Sequence, residues 1–564
     1  MYLTPMKDAN NNLGNFDPTS PSGLVQQGQA GVSSIWKADS HDLEPRIGLA
    51  WDVRGNGRTV VRLGVGLIHE TWSLETFEGQ FGMQNDGSTA INAIPTAASI
   101  SCEIPALVSS ISCPSSGGGT NALGSATFAP NALCWDPSIT SGPAFTGTAC
   151  PGGQKTVFPG ATGGPKCGDG VTVAAVTAPS PCDLMGVDQN LKLPYVVNYN
   201  LSVQHQIGSN LSVEVAYVGN HGYKLLNFAD INQAPTGSAY CLNSPLTAAQ
   251  LADTCGSGPA GARVPLACIA TATCAGSGQA VQEARPYFSK FPYLGFINFV
   301  TNRSFSNYNS AQVSVTKRMS QGLSFTAGYT YAHGLDNGSL NRFGLNPENS
   351  NNLAGEYGSS DFDIRHRVTF TVTYNIPGKK GFGQMLEGWQ INSIVNYATA
   401  QPWQTFDNSD NFSGTGEKAD RWDIFGNPAD FPSGKNSIPD CVVTAGLPAG
   451  TPFADGKVTC TVTSVYGGSP LSSAATSSAV AGCRAHAPSL ATLTTGGCYV
   501  SSNGNSFIVP PALGTFGNMG RNIFRDSGYH NLDLSVFKNF HFTERFGAQL
   551  RWEVFNVFNI PIAT

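Results

Sequence analysis

The stretch that decides the fold is "YNLSVQHQIGSNLSVEVAYVG", Tyr199 to Gly219. Tyr199, Leu201 and Val203 fall on one face of an extended chain, with Asn200, Ser202, Gln204 and Gln206 on the other, because successive strand side chains point to opposite faces. Gly208-Ser209-Asn210 interrupts the pattern. The alternation then resumes, with Leu211, Val213, Val215 and Tyr217 set against Ser212, Glu214 and Ala216. Two period-2 runs on either side of a three-residue turn spell a β-hairpin. The device recurs along the chain. "RIGLAWDV" and "TVVRLGVGLIHE" flank "RGNGR", and "AQVSVTKRM" and "LSFTAGYTYAHG" flank Ser320-Gln321-Gly322. "HRVTFTVTYNI" precedes "EGWQINSIVNYATA", and "NLDLSVFKNFHF" precedes "RFGAQLRWEVFNVF". Helical periodicity is nearly absent.

Ten strands follow, at roughly 46–53, 59–70, 196–207, 211–220, 308–319, 323–335, 366–376, 387–403, 529–542 and 545–558. Their connections alternate between short turns and the long segments 71–195, 221–307, 336–365 and 404–528. A soluble sandwich has no reason to sort its loops this way, whereas a transmembrane β-barrel has short inner turns and long outer loops. The two faces agree. One carries Leu, Val, Phe, Tyr and Trp; the other carries Asn, Gln, Ser, Thr and isolated charges such as Glu214, Arg367, Asp533, Arg551 and Glu553. Tyr217, Tyr329, Tyr331, Tyr374, Tyr397 and Trp389 lie near strand ends, where an interfacial girdle belongs. The fold class expected is therefore all-β, an antiparallel transmembrane β-barrel with long extracellular loops. The apolar residues of 199–203, 211–217, 323–331 and 368–374 should face outward. Arg365, Arg367, Asp533, Arg551 and Glu553 should be structural or lumen-lining charges, not catalytic ones.

Composition fits. Charged residues make up 12 % of 564 residues and the net charge is −6, so no basic surface recommends nucleic acid. No apolar run reaches the roughly 18 residues of a membrane helix. "MYLTPMKDANNNLGNF" has no basic and apolar leader pattern, so either the chain is cytosolic or its true N-terminus lies upstream. The cysteines favour the second. They form three even groups: Cys102, Cys113, Cys134, Cys150, Cys167 and Cys182; Cys241, Cys255, Cys268 and Cys274; Cys441, Cys460, Cys483 and Cys498. Each group lies in a Gly/Ser/Pro/Ala-rich segment, and no pair has the C-x-x-C spacing of a zinc site. Disulfides within each loop group, made in an oxidising compartment, fit better than scattered free thiols.

"GNMGRNIFRDSGYHNLDLSVFKNF", Gly517 to Phe540, tests the nucleotide alternative. A phosphate-binding glycine loop leaves a strand and starts a helix, but this one leads into a strand, and "RGNGR" at 54–58 fails likewise. With no H-E-x-x-H, no G-x-S-x-G and no Cys/His metal spacing, no catalytic residue, metal or cofactor is expected and the chain reads as a non-enzyme. The Gly517 segment is instead where a long outer loop re-enters the wall.

This segment, followed by "LRWEVFNVFN", resembles the C-terminal barrel segments of TonB-dependent receptors, especially the large Oar-like kind. "EPRIGLAWDVRGNGRTVVRLGVGLIHE" at 44–70, "NYNLSVQHQIGSNLSVEVAYVGNHGYKLL" at 198–226 and "SDFDIRHRVTFTVTYNIP" at 360–377 carry the same resemblance. The resemblance implies an outer-membrane barrel of about 22 strands in a Gram-negative bacterium. It also implies an N-terminal plug and uptake of a bulky nutrient (carbohydrate, peptide or metal chelate) powered by the TonB complex. The plug and any N-terminal domain are not visible, so residues 1–564 read as a partial barrel, with TonB contacts made by the missing N-terminal region of the parent. An adhesive or structural surface protein, a passive porin and a secreted β-rich enzyme or carbohydrate-binding protein are the rival readings.

Trp72, Phe77, Phe81, Trp403, Phe406 and Trp422, in or beside outer loops, are candidate ligand contacts, set against the plainer reading that such rings pack the loops. Asp407, Asn408, Asp410 and Asn411 offer calcium-type oxygens without EF-hand spacing, so a solvated polar loop is expected. Strand parity adds a last expectation. With the short turns inside, strand 46–53 already runs inward and strand 545–558 runs outward, so further strands should complete the barrel and this sheet should be open.

Overall fold

The computed structural model describes residues 42–70, 182–240, 294–339, 347–404, 420–431, 503–526 and 528–559 continuously. Shorter pieces lie within 7–39, 171–178, 281–290, 412–417, 439–462 and 481–501. Ten strands carry the fold: β1 (Arg46–Asp52), β2 (Thr59–His69), β3 (Tyr195–Ile207), β4 (Leu211–Asp230), β5 (Leu294–Ser320), β6 (Leu323–Asp336), β7 (His366–Asn375), β8 (Trp389–Ala398), β9 (Tyr529–His541) and β10 (Gly547–Val554). They form one antiparallel meander in which each strand pairs with its sequence neighbours.

Register converts the alternation into two faces. Trp51, Val61, Val203, Val215, Val313, Tyr329, Val368 and Tyr397 are successive partners across β1 to β8. One residue along, Val60, Gln204, Glu214, Ser314, Gly328, Thr369, Asn396 and Asn531 form the matching row of the other face. Much of the apolar face is open, Val215 being 52 % exposed, Leu201 44 %, Tyr329 40 % and Trp552 60 %, while polar-face residues such as Ser314 and Thr369 are exposed as well. The other sheets among the described residues are two- and five-stranded pieces, and none forms a second layer over Val213 and Val215. Leaving such side chains in water forgoes about 25 cal/mol per Å² of apolar surface, so hydrocarbon is the solvent this face suits.

The charges obey the same parity. Arg367 lies opposite Thr330, Arg551 opposite Phe537, Glu553 opposite Ser535 and Asp533 opposite Ile394, all on the polar face. Two lysines fall on the apolar face, both near turns. Lys317 Nζ donates to Ser320 O at 3.2 Å and Leu323 O at 3.1 Å, and Lys538 Nζ donates to Gln384 O and Glu387 O. Each ammonium bends back to turn carbonyls and leaves only its stem against the apolar surface.

Several strand boundaries differ from expectation. β4 runs on to Asp230 and β5 begins at Leu294, so the expected loop 221–307 narrows to 231–293. "HGYKLLNFAD" reads as loop because of its glycine and polar residues, yet it pairs with β5 as far as Asp230↔Asn298. The glycine is what the pairing needs: a Cβ on Gly222 would lie 2.5 Å from Ser306 Oγ. β8 stops at Ala398 instead of 403, and Pro402–Trp403 pairs with Phe524–Arg525. At the ends of the sheet, β1 and β10 each pair on one side only, and the sheet is open.

Candidate functional site at the outer end of the sheet

The packed core of the molecule lies in its long loops. Phe412, Trp422, Phe431, Ile508, Met519 and Phe524 form a buried cluster, with Trp403 and Tyr499 packed against it. Gly517 sets its geometry. A Cβ there would lie 2.3 Å from Arg421 O, and only glycine lets the Gly517 and Met519 amides reach Arg421 O and Trp422 O, both at 3.1 Å.

Buried arginines fasten this loop to its neighbour. Arg421 Nη1 and Nη2 donate to Glu356 Oε2 and Oε1 at 2.8 and 2.9 Å, a two-pronged pairing that the guanidinium fork favours. Arg421 Nη2 also contacts Glu348 Oε2, and the Arg421 amide donates to Glu348 Oε1 at 2.8 Å. Arg521 Nε donates to Glu356 O at 2.8 Å, and its Nη2 bonds Asp336. Arg525 bonds Asp363, which also accepts from Arg365 Nε at 2.8 Å and from the Gly334 amide at 2.8 Å. A third loop joins through backbone: the Gly237 and Ala239 amides donate to Ser413 O and Gly414 O at 2.6 and 2.9 Å. Arg285 Nη1, 3.0 Å from Asp230 Oδ2, closes that loop on the end of β4. Segments 231–240, 347–359, 412–417 and 420–431 thus form one cap.

Arg421 serves more carboxylates than it can neutralise. Burial pushes Glu348 up to about 7 even beside Arg421, and burial pushes Asp420 up to about 6 although the Ser413 amide opposes it. Asp363 differs: burial alone would raise it, but the Gly334 amide and the Arg525 and Arg365 guanidiniums hold it below the usual range. The raised pair binds protons more tightly folded than unfolded. Its contribution is complete below the ordinary values of 4.5 and 3.8 and is lost as pH rises through about 6 and about 7. Protease resistance of 347–359, 412–417 and 420–431 is therefore expected to be greater at pH 5 than at pH 8. Equal resistance at the two values would contradict this.

Of the third cysteine group, Cys483 and Cys498 are disulfide-bonded, with Cα atoms 6.1 Å apart. Cys441 and Cys460 face each other as strand partners. Both arrangements stay within the group, and the other two groups are outside the described residues except Cys182, in the strand Cys182–Val187.

Of the six candidate ligand aromatics, Trp72, Phe77, Phe81 and Phe406 lie outside the described residues. Trp403 stacks on Phe524 with ring centroids 4.6 Å apart, and its Nε1 donates to Asp526 Oδ1 at 2.9 Å. Trp422 is 5 % exposed and packs against Phe412 and Tyr499. The structure therefore gives these two rings to the loop core. Asp407, Asn408, Asp410 and Asn411 are also outside the described residues. Sequence reasoning missed Arg421, Glu348, Glu356 and Asp336. The charged motifs "GRNIFRD" and "SDFDIRHR" supply both sides of the Arg525–Asp363 pair but only the arginine of the Arg521–Asp336 pair.

Comparison with known proteins agrees with this architecture. Residues 1–562 match the family model for the outer membrane beta barrel domain. No curated protein matches the sequence. Among solved structures, the outer membrane transporter YddB from Escherichia coli is 9 % identical with a TM-score of 0.34, covering 92 % of this chain and 37 % of its own. A mutant ferric enterobactin receptor, PfeA of Pseudomonas aeruginosa, is 9 % identical at 0.31, covering 93 % and 35 %. The FrpB iron transporter from Neisseria meningitidis is 8 % identical at 0.27, covering 66 % and 30 %. The chain thus spans about a third of these structures' length, and scores this low transfer no geometry.

Proposed function

The chain belongs to the outer membrane β-barrel domain family, and on that premise we propose that it forms wall and outer cap of a TonB-dependent receptor taking up a bulky nutrient across the outer membrane of a Gram-negative bacterium. The family is one of membrane walls and transporters, not of enzymes. The observation that carries the receptor reading is the cap. Two outer loops are held together by buried charge clamps and a third joins them through backbone hydrogen bonds, above a sheet that is apolar on one face and polar on the other. A passive pore gains nothing from a folded roof, whereas a receptor needs a pre-organised surface, since ordering loops at the moment of binding costs affinity. Trp72, Phe77, Phe81 and Phe406 are the proposed ligand contacts, and Trp403 and Trp422 pack the loop core. The TonB complex would act through a plug in the parent protein. An adhesin uses a rigid cap equally well, so energy coupling is the discriminating property. The protein purified from its host is expected to be retained by the immobilised periplasmic domain of the host's TonB and to give no stable conductance in planar bilayers. Stable open-channel conductance without TonB binding would establish a porin and overturn the proposal.

A further inference from the structure

The "RGNGR" turn is left without a role by everything above. It joins β1 to β2 at the short-turn end of the sheet, with Gly55 and Gly57 at φ +65° and +70°. Asp52 is used up inside the turn, its Oδ2 accepting from the Gly57 amide at 2.6 Å and its Oδ1 from the Arg54 amide at 3.3 Å. Arg58 is thereby left facing a hollow of about 160 Å³ with Arg62 of β2, Gln204 and Gln206 of β3, Ser212 of β4 and Arg318 of β5. Three arginines from three elements line it. Arg62 Nη1 donates to Gln204 Oε1 at 2.9 Å, and among the described residues none of the three arginines is ion-paired. Glu214, the next acidic residue along the polar face of β4, pairs with none of them either. This is unusual in a chain whose other clustered arginines, Arg421, Arg521 and Arg525, are all matched to carboxylates.

Like charges gathered without counter-ions repel one another, and the arrangement is stabilised when an anion binds between them. The guanidinium fork matches two-oxygen acceptors, the Gln amides and the Ser212 hydroxyl add neutral donors, and Val60 and Leu211 are the two large apolar residues in an otherwise polar lining. We propose that this hollow is a binding site for a small polyvalent oxyanion, a phosphate or a di- or tricarboxylate, on the polar face at the inner mouth of the wall. On the transport reading it would hold an anionic group of the solute near its exit. The binding itself is independent of that reading and is measured without transport.

The test uses the whole chain in detergent micelles, titrated calorimetrically with inorganic phosphate and, separately, with citrate. Saturable binding of at least one is expected, weakening as salt is raised. Arg62→Gln and Arg318→Gln are each expected to weaken it by about tenfold or more, the loss typical of one charge-assisted pairing. Arg62→Lys should recover part of the loss. Lys379→Gln, which removes an exposed charge from a different turn, should change nothing. Circular dichroism confirms that each variant keeps its strands, and Arg58→Gln supplies a third variant should either of the others fail to fold. The citrate and phosphate arms separate the two anion types. Absence of saturable binding in both arms overturns the site, as does an equal loss in Lys379→Gln. If anion binding follows the arginines while TonB binding fails, the site stands and the receptor reading falls.

Discussion

Replacing Arg421 by Gln is expected to unfasten the outer cap while leaving the ten-stranded sheet in place. Arg421 is 6 % exposed, and Glu348, Glu356 and Asp420 around it are 7 %, 5 % and 0 % exposed. Removing the guanidinium that bonds the Glu348 and Glu356 carboxylates leaves them in low dielectric without that counter-charge. Breaking a buried pair from one side costs about 3–5 kcal/mol, because the cost is the stranded charge and not merely the lost contact. That is comparable to the whole stability of a small folded unit, and modest hydrophobic clusters around Phe524 and around Ala234 and Val281 oppose it. Arg365→Gln is the contrast. Its side chain is 30 % exposed, and Asp363 keeps Arg525 and the Gly334 amide, so about 1 kcal/mol or less is expected. Amide hydrogen exchange reads both. In Arg421→Gln, segments 347–359, 412–417, 420–431 and 503–526 should lose protection while β3 to β6 keep theirs. Unchanged protection of 347–359 would show that the apolar cluster alone holds the cap. Adding Glu348→Gln and Glu356→Gln to Arg421→Gln should restore much of the protection, since neutral groups of similar shape leave little charge stranded.

The sheet was legible because its information is local. Alternation along "YNLSVQHQI" and "LSVEVAYVG" assigns faces, the tight turn at 208–210 assigns register, and the row from Trp51 to Tyr397 is the sum of such hairpins. Boundaries were less legible where polar strand sat beyond the apolar band. β4 and β5 continue past it with no hydrophobic period, and only the partner strand makes residues 222–230 a strand. The cap was not legible at all. Its clamps join residues far apart in sequence, such as Arg521 to Asp336 across 185 positions, and no period or spacing encodes such a contact. Trp403 and Trp422 show the same limit. An aromatic in a polar segment looks like a ligand contact until Phe524, Phe412 and Tyr499, none of them adjacent in sequence to the ring it meets, are seen to surround it.

Two neighbouring residues of β5 test the membrane reading of the sheet directly. Val313 lies in the apolar row between Val215 and Tyr329, near the middle of the segment 308–318. Ser314 lies in the polar row between Glu214 and Gly328. Val313→Arg is expected to destabilise the protein folded into phosphatidylcholine vesicles by about 2–4 kcal/mol, the cost of a cation on the lipid face near the midplane. Its stem cannot bend back to a turn carbonyl as those of Lys317 and Lys538 do, because Val313 lies seven residues before Ser320, a reach of about 23 Å along an extended strand. Ser314→Arg changes the same charge one residue along and should move stability by only about 0.5 kcal/mol, in the favourable direction if the new guanidinium reaches Glu214 across the strand pair. Urea midpoints of refolding read the difference, with gel mobility of the folded form as the monitor. Equal penalties at the two positions would mean that both faces meet the same solvent, and the sheet would then not be a membrane wall. In detergent micelles, whose apolar surface adapts around a long side chain, the gap between the two variants should narrow but keep its sign.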